Sequence, residues 1–313
     1  MTRRRYIAAA VDVGSYSVHL LIAEVRGRRL RTIVDESAFL GLGREVDATG
    51  ELGGARTRLL DALHGFSTRA RAEGAASLTV VATDPFRRAS DAAARIQEVR
   101  ATLGIEIGVL GHEEEAMVAL IGVQAGRPVL RETVFVDVGG GSTEVLVVGP
   151  GREPIAAGLP LGAARLSGMH VRHDPPTALE AGALRKEVRR TMLAAPDVDP
   201  AELIAVGGTA RSLLRVGPRL SNRVLTRRRI RRAIGLLAAG PAVATADRYG
   251  TRLSRARVLP AGAAILLGAL DRYGLDRLRV AQSGLREGVI LAAHRAGESW
   301  RSEIRDLARG WDG

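Results

Sequence analysis

The pattern that most constrains this 313-residue chain occurs twice, first as Asp12-Val13-Gly14-Ser15-Tyr16-Ser17 and 125 residues later in Asp137-Val138-Gly139-Gly140-Gly141-Ser142-Thr143-Glu144. Each copy follows an apolar, β-branched run, Ile7 to Val11 and Thr133 to Val136, that reads as a strand delivering an aspartate to its own end. Glycines then remove the side chains that would hold a phosphate off the backbone, and the Ser and Thr hydroxyls stand beside the loop N–H groups. A single Gly-rich turn is compatible with an ordinary hairpin. Two of them, facing each other, would make a phosphate clamp with one carboxylate, Asp12 or Asp137, on each jaw.

The rest of the composition removes other chemistries. There is no cysteine, which excludes disulfides, thiolate nucleophiles and zinc–thiolate sites and suits a reducing cytoplasm. Of the 46 basic residues one alone, Lys186, is a lysine, so a Gly-Lys-Ser/Thr phosphate loop is absent. No Gly-x-Ser-x-Gly elbow and no His-Glu-x-x-His helix occurs. Aromatic residues make up 3%, too few for base-stacking platforms, which argues against nucleic acid as a partner. The net charge of +12 favours polyanions, although an arginine-rich coding bias accounts for part of it. Met1 to Tyr6 resembles a signal-peptide n-region, but Asp12 and the Gly14-Ser15 turn interrupt the apolar run, so a soluble cytoplasmic chain without a membrane span is expected.

Length and periodicity predict two α/β domains with mixed sheets flanked by helices, 1–126 and 127–313, the last helix being a candidate to pack back on the first domain. The first opens with three strands, Ile7 to Val13, Ser17 to Val25 and Leu30 to Ala38, and continues through alternating helices and strands to a helix beginning at Glu114. The second restarts at Thr133 and includes a helix from Gly262 to Tyr273. The repeated layout implies a duplicated fold with the active site in the interdomain cleft, at the strand ends.

Several residues can carry phosphate chemistry. Asp12 and Asp137 suit metal coordination, and Glu144 can point back beside Asp137. Glu113-Glu114-Glu115 opens a helix, where the dipole favours carboxylates, and a carboxylate there also suits a general base. Thr83 and Arg87 follow a strand, placing a hydroxyl and a guanidinium near its end. Gly207-Gly208-Thr209 closes another strand and is a candidate nucleotide or polyanion contact. The arginines of segment 223–232, with Arg252, Arg255 and Arg257, either form a solvated helix face or track a long polyanion.

In order along the chain, Asp12 to Ser17, Thr83 to Arg87, Glu114-Glu115-Ala116, Asp137 to Glu144, Leu159 to Leu166, Gly207 to Thr209, Val258 to Gly262 and Gly284-Leu285-Arg286-Glu287-Gly288 resemble the exopolyphosphatase and guanosine pentaphosphate phosphohydrolase family. The resemblance covers nearly the whole chain. It implies two actin-like, ribonuclease H-like domains in the short family form, and a hydrolase acting on phosphoric anhydrides. Glu114 would be the base that activates water, with Glu144 and Arg87 also catalytic. Asp137, Glu144 and Asp12 would hold Mg2+, with Mn2+ as the alternative. Gly14, Ser15, Tyr16, Ser17, Thr83, Gly139, Gly140, Gly141, Ser142 and Thr143 would grip the terminal phosphate. The family also implies a homodimer and a place in the stringent response. Tyr16 stands where the family commonly has asparagine, and His112 where it commonly has glycine.

The leading expectation is an exopolyphosphatase acting on inorganic polyphosphate. The alternatives are a guanosine pentaphosphate 5'-phosphohydrolase and a weakly active sensor that binds polyphosphate or an alarmone. An ATP-using kinase of the same superfamily lacks a recognisable acceptor site.

Overall fold

In the computed structural model, residues 5–218 and 222–311 are described, so Met1 to Arg4, weighed above as an n-region, lie outside the described residues. The chain divides into two compact units, one formed by Met1–Pro128 with Ser283–Gly313 and the other by Val129–Gln282. This corrects the expected boundaries. The division falls after Pro128, not Gly126, and the segment from Ser283 onward belongs to the first unit, the packing back considered for the last helix.

The first unit opens with β1 (Tyr6–Val13), β2 (Ser17–Arg26) and β3 (Arg29–Phe39), followed by α1 (Leu42–Thr49), α2 (Arg56–Ala72), β4 (Ser77–Ala82), α3 (Asp84–Arg88), α4 (Ala92–Leu103), β5 (Ile107–Val109) and α5 (His112–Gln124). Its sheet has the order β3-β2-β1-β4-β5, with the first three strands antiparallel and β1, β4 and β5 parallel. Short hairpin turns force the antiparallel pairs, whereas the helical crossovers allow the parallel ones. Val11, Leu20 and Ile22 join Leu59, Leu63 and Phe66 of α2 in one core. Ala8, Ala10, Leu21 and Ala23, of opposite parity along their strands, are buried as well.

The second unit contains β6 (Thr133–Val138), β7 (Thr143–Val148), β8 (Ile155–Leu159), α6 (Ala163–His170), α7 (Ala178–Met192), β9 (Glu202–Val206), α8 (Gly207–Leu213), β10 (Val224–Thr226), α9 (Arg227–Ala238), α10 (Ala242–Tyr249), α11 (Leu253–Arg272) and β11 (Arg277–Val280). Its sheet runs β10-β11-β9-β6-β7-β8. Without the edge strand β10, this repeats the first sheet, an antiparallel meander continued by two parallel strands. The helix expected from Gly262 starts at Leu253, because Pro260 lies inside α11. A mid-helix proline loses one backbone bond; here burial of thirteen α11 residues, Val258, Leu259 and Ala261 among them, holds the helix through it. The same burial makes this long apolar helix a core element of its unit.

The chain then returns to the first unit as α12 (Leu285–Ala296) and α13 (Ile304–Arg309). Helix α12 packs on α5, β1 and β2. Glycine makes this possible, since a Cβ on Gly288 would meet the Val118 carbonyl and one on Gly122 the Gly284 carbonyl. The Gly284 to Gly288 motif is thus a packing device. Gly284 N–H donates to the Glu287 carboxylate at 2.9 Å, and the buried Arg286 donates to the Leu20 carbonyl at 3.0 Å and to Asp35 at 2.7 Å. Gly288→Ala is expected to cost about 1–3 kcal/mol by overpacking. A urea midpoint equal to that of the unsubstituted protein would show that the two helices are not in backbone contact.

Candidate active site

The two sequence repeats fold into the same hairpin. Asp12 of β1 stands opposite His19 of β2 and beside Val81 of β4; Asp137 of β6 stands opposite Glu144 of β7 and beside Val206 of β9. All three equivalent pairs are 125 positions apart (137 − 12, 144 − 19, 206 − 81), so the duplication extends into a strand that carries no shared motif. Each turn closes in the same way, with Gly14 N–H donating to the Ser17 carbonyl at 3.2 Å and Gly139 N–H to the Ser142 carbonyl at 3.0 Å.

The carbonyls of both loops are turned into their own unit. Gly43 and Gly41 N–H donate to the carbonyls of Ser15 and Tyr16 at 2.7 and 3.1 Å. In the second unit, Ala163 N–H donates to the Gly139 carbonyl at 2.9 Å, and Ala164 and Arg165 N–H donate to that of Gly140 at 2.9 and 3.0 Å. Across a trans peptide the N–H points opposite to the C=O. The N–H groups of Tyr16 and Ser17, and of Gly140 and Gly141, are therefore aimed away from those anchors. Close approach demands glycine at the anchors too: a Cβ on Gly43 would lie 2.7 Å from the Ser15 Cβ, and one on Gly162 would meet the Gly140 carbonyl.

The hydroxyls behave differently from expectation. Ser15 donates to Asp84 at 2.6 Å, Ser142 to Glu144 at 2.7 Å, Thr143 to the Leu161 carbonyl, and Thr209 to the Val138 carbonyl at 3.2 Å. All four are buried. A hydroxyl has one proton to donate, and these four donate it within the protein, where it braces the structure around the loops. Tyr16 turns its ring edge-on to Phe39, with centroids 4.8 Å apart. Thr83 is buried and accepts the Arg87 N–H on its carbonyl at 3.2 Å, which starts α3.

Glu114 caps its own helix and pairs with an arginine from the end of the chain. Helix α5 begins at His112 with Gly111 as its cap, two residues before the expected start, so Glu114 is the third residue of the helix. In a capping box that residue reaches back to the cap, and Glu114 accepts Gly111 N–H at 2.7 Å. It also forms a two-pronged pair with Arg301, at 2.7 and 2.8 Å. The Arg301 hydrogen bond lowers the Glu114 carboxyl below its ordinary value despite partial burial. Glu115, one residue on, is buried and accepts from Arg87 Nη1 at 2.6 Å, while the same nitrogen donates to the Leu110 carbonyl at 2.8 Å.

In the second unit, Asp137 and Glu144 are direct cross-strand partners, and such partners present their side chains on one face of the sheet. Two carboxylates so placed suit a hard divalent cation, which prefers oxygen ligands. Gly207, at φ +88, lets the Asp137 carboxylate lie where a Cβ would be 2.6 Å from Oδ1, and a Cβ on Gly208 would lie 3.1 Å from Arg255 Nη2. In the first unit, His19 occupies the position of Glu144, so that hairpin lacks the second carboxylate. Part of the basic run is structural, since Arg227 pairs with Asp271 and Arg229 donates to the Pro218 carbonyl at 2.6 Å.

The plan of α/β units, each with an aspartate-ended hairpin, is the actin-like one. A model of the Ppx/GppA phosphatase family matches residues 21–295, and the chain belongs to that family. It is 32% identical over 306 residues to exopolyphosphatase 1 of Mycobacterium tuberculosis, covering 90% of this chain and 86% of the relative. Against the guanosine-5'-triphosphate,3'-diphosphate pyrophosphatase of Vibrio cholerae it is 27% identical, covering 90% of this chain and 58% of the relative. The crystal structure of the Aquifex aeolicus Ppx/GppA family member superposes with a TM-score of 0.76 at 27% identity, covering 94% of this chain and 99% of that one.

Asp84 supplies a test of how the first loop is braced. Burial pushes its carboxyl up, but hydrogen bonds from Arg88 and Ser15 outweigh this and leave it below the ordinary value. A carboxyl depressed by folding contributes stability above its unfolded value, about 3.9, and loses that contribution as pH falls through the folded value. Asp84→Asn is therefore expected to cost about 1.5–3 kcal/mol at pH 7, with the gap to the unsubstituted protein closing below about pH 4. A gap independent of pH in urea titrations would contradict this role.

Proposed function

We propose that this chain hydrolyses the terminal phosphoanhydride of inorganic polyphosphate. The observation that carries the proposal is the twice-built hairpin, whose anchored carbonyls aim backbone N–H groups outward beside Asp12 and Asp137. The substrate class rests on similarity, because the exopolyphosphatase relative is matched over most of its length and the guanosine-phosphate relative over little more than half. Guanosine pentaphosphate is the second substrate to be measured.

In this proposal Glu115 replaces Glu114 as the group that takes the proton from the attacking water. It is the buried member of the acidic trio and sits against Arg87, the cation assigned to the terminal phosphate. The water oxygen attacks the terminal phosphorus, the bond to the bridging oxygen breaks with its electron pair staying on the shortened chain, and the proton goes to the Glu115 carboxylate. In each unit the loop N–H groups, and in the first unit Arg87, are assigned to phosphoryl oxygens. Asp137 and Glu144, with Asp12 assigned to the same role, would hold Mg2+ or Mn2+, which neutralises phosphate charge when bound. Gly208 and Arg255 are assigned to the rest of the anion.

Phosphate release from long-chain polyphosphate and from guanosine pentaphosphate, with Mg2+ and with excess EDTA, tests the function. Metal-dependent release with the higher kcat/KM on polyphosphate is expected; tight binding without release would leave a sensor in its place. Glu115→Gln should lower kcat by about 10²–10⁴-fold. Glu114→Gln should cost no more than roughly tenfold, because it disturbs position only, and the reverse order would return the base to Glu114.

A further inference from the structure

Helix α5 is held at both ends by residues that follow α12 in the sequence. At its start, Arg301 grips both oxygens of Glu114, donates to the carbonyl of Val109 at the end of β5, and is accompanied by an Arg305–Glu113 pair. At its end, Trp311 N–H donates to the Gly126 carbonyl at 3.0 Å, and the indole lies where a Cβ on Gly126 would come within 2.6 Å of the ring. Arg28 of the β2–β3 turn in turn donates to the Trp311 carbonyl. The C-cap between helix and clamp, Ala125, is in the left-handed region at φ 50, a conformation that a non-glycine residue keeps where its surroundings over-determine it.

The charges show what the clamp is for. Three successive glutamates at one helix start repel one another even where the helix dipole favours each. Their arginine partners differ: Glu113 pairs with Arg305, Glu114 with Arg301 and Glu115 with Arg87. Arg301 thus ties the residue next to Glu115 to the end of β5. A two-pronged guanidinium–carboxylate pair fixes direction as well as charge. Arg301 is itself raised above its ordinary value, with the Glu114 hydrogen bond as the main cause.

We propose that residues 297–311 form a two-ended clamp on α5, and that Arg301, by holding Glu114, is the positioning residue that keeps Glu115 paired with Arg87. The kinetic part rests on the assignment of Glu115 made above; the clamp itself does not.

Two measurements on the full chain separate these parts. Hydrogen–deuterium exchange reads the clamp whatever the substrate: Arg301→Gln should speed exchange of amides 112–118, Trp311→Ala that of amides 121–126, each with the sheet amides of β1 and β2 unchanged. Exchange in α5 equal to that of the unsubstituted protein in both variants would overturn the clamp. Steady-state phosphate release reads the positioning. Arg301→Gln should lower kcat roughly tenfold with KM within about twofold, and Arg301→Lys should recover part of the loss, since an ammonium replaces the charge but not the fork. Adding Glu114→Gln to Arg301→Gln should bring no further loss, as expected of residues acting through one contact. Multiplying losses, or an unchanged kcat with faster α5 exchange, would overturn the positioning role. An unsubstituted protein that released no phosphate would count against the proposed reaction and leave the exchange result to decide the clamp.

Discussion

Each unit depends on a hairpin whose strand ends in aspartate and whose loop carbonyls are tied back into the protein. Strand pairing fixes where Asp12 and Asp137 stand, but the direction of the loop peptides is set elsewhere, by the start of the helix that follows the third strand of each meander. That helix is α1 in the first unit and α6 in the second, and both bring N–H donors to loop carbonyls through a glycine that admits no Cβ, Gly43 or Gly162. Once the carbonyls are engaged, peptide planarity orients the opposite N–H groups. What these loops present outward is therefore backbone N–H, and the buried Ser and Thr hydroxyls of the motif serve to keep it in place.

The duplicated hairpins, the two sheets and the family were legible in the sequence because they rest on local signals: alternating burial, a repeated pattern and a set of spaced glycines. The anchoring helices were not. Helix α1 and helix α6 are eight residues each, and Gly43 and Gly162 have their physical reason in a partner loop well removed in sequence. The true start of α11 was hidden for a related reason, since the local cost of Pro260 inside it is offset by burial that only the folded unit supplies. The acidic trio shows how fine the limit is. Successive helix residues turn by about 100°, so which glutamate faces Arg87 depends on where the helix is capped.

The two hairpins are also unequal in a way the shared pattern hides. Across from Asp137 the chain places Glu144, and across from Asp12 it places His19. The second unit has the oxygen donors that suit a cation. The first unit has Arg87 and Glu115, the groups assigned to gripping phosphate and to taking a proton, and it receives the returning segment that holds α5. The scaffold is thus the same in both units, and the side chains that differ stand at a few strand-end and helix-start positions.

The central claim is that each hairpin is needed for the proposed phosphate release. Turnover of Asp12→Asn and Asp137→Asn, each verified as folded by its urea midpoint, tests it most directly, because asparagine keeps the size of the side chain and removes the charge. The account predicts that each substitution alone lowers kcat/KM for terminal phosphate release by at least about 10²-fold. Either variant retaining the turnover of the unsubstituted protein would show that its hairpin is scaffold only, and would contradict the account.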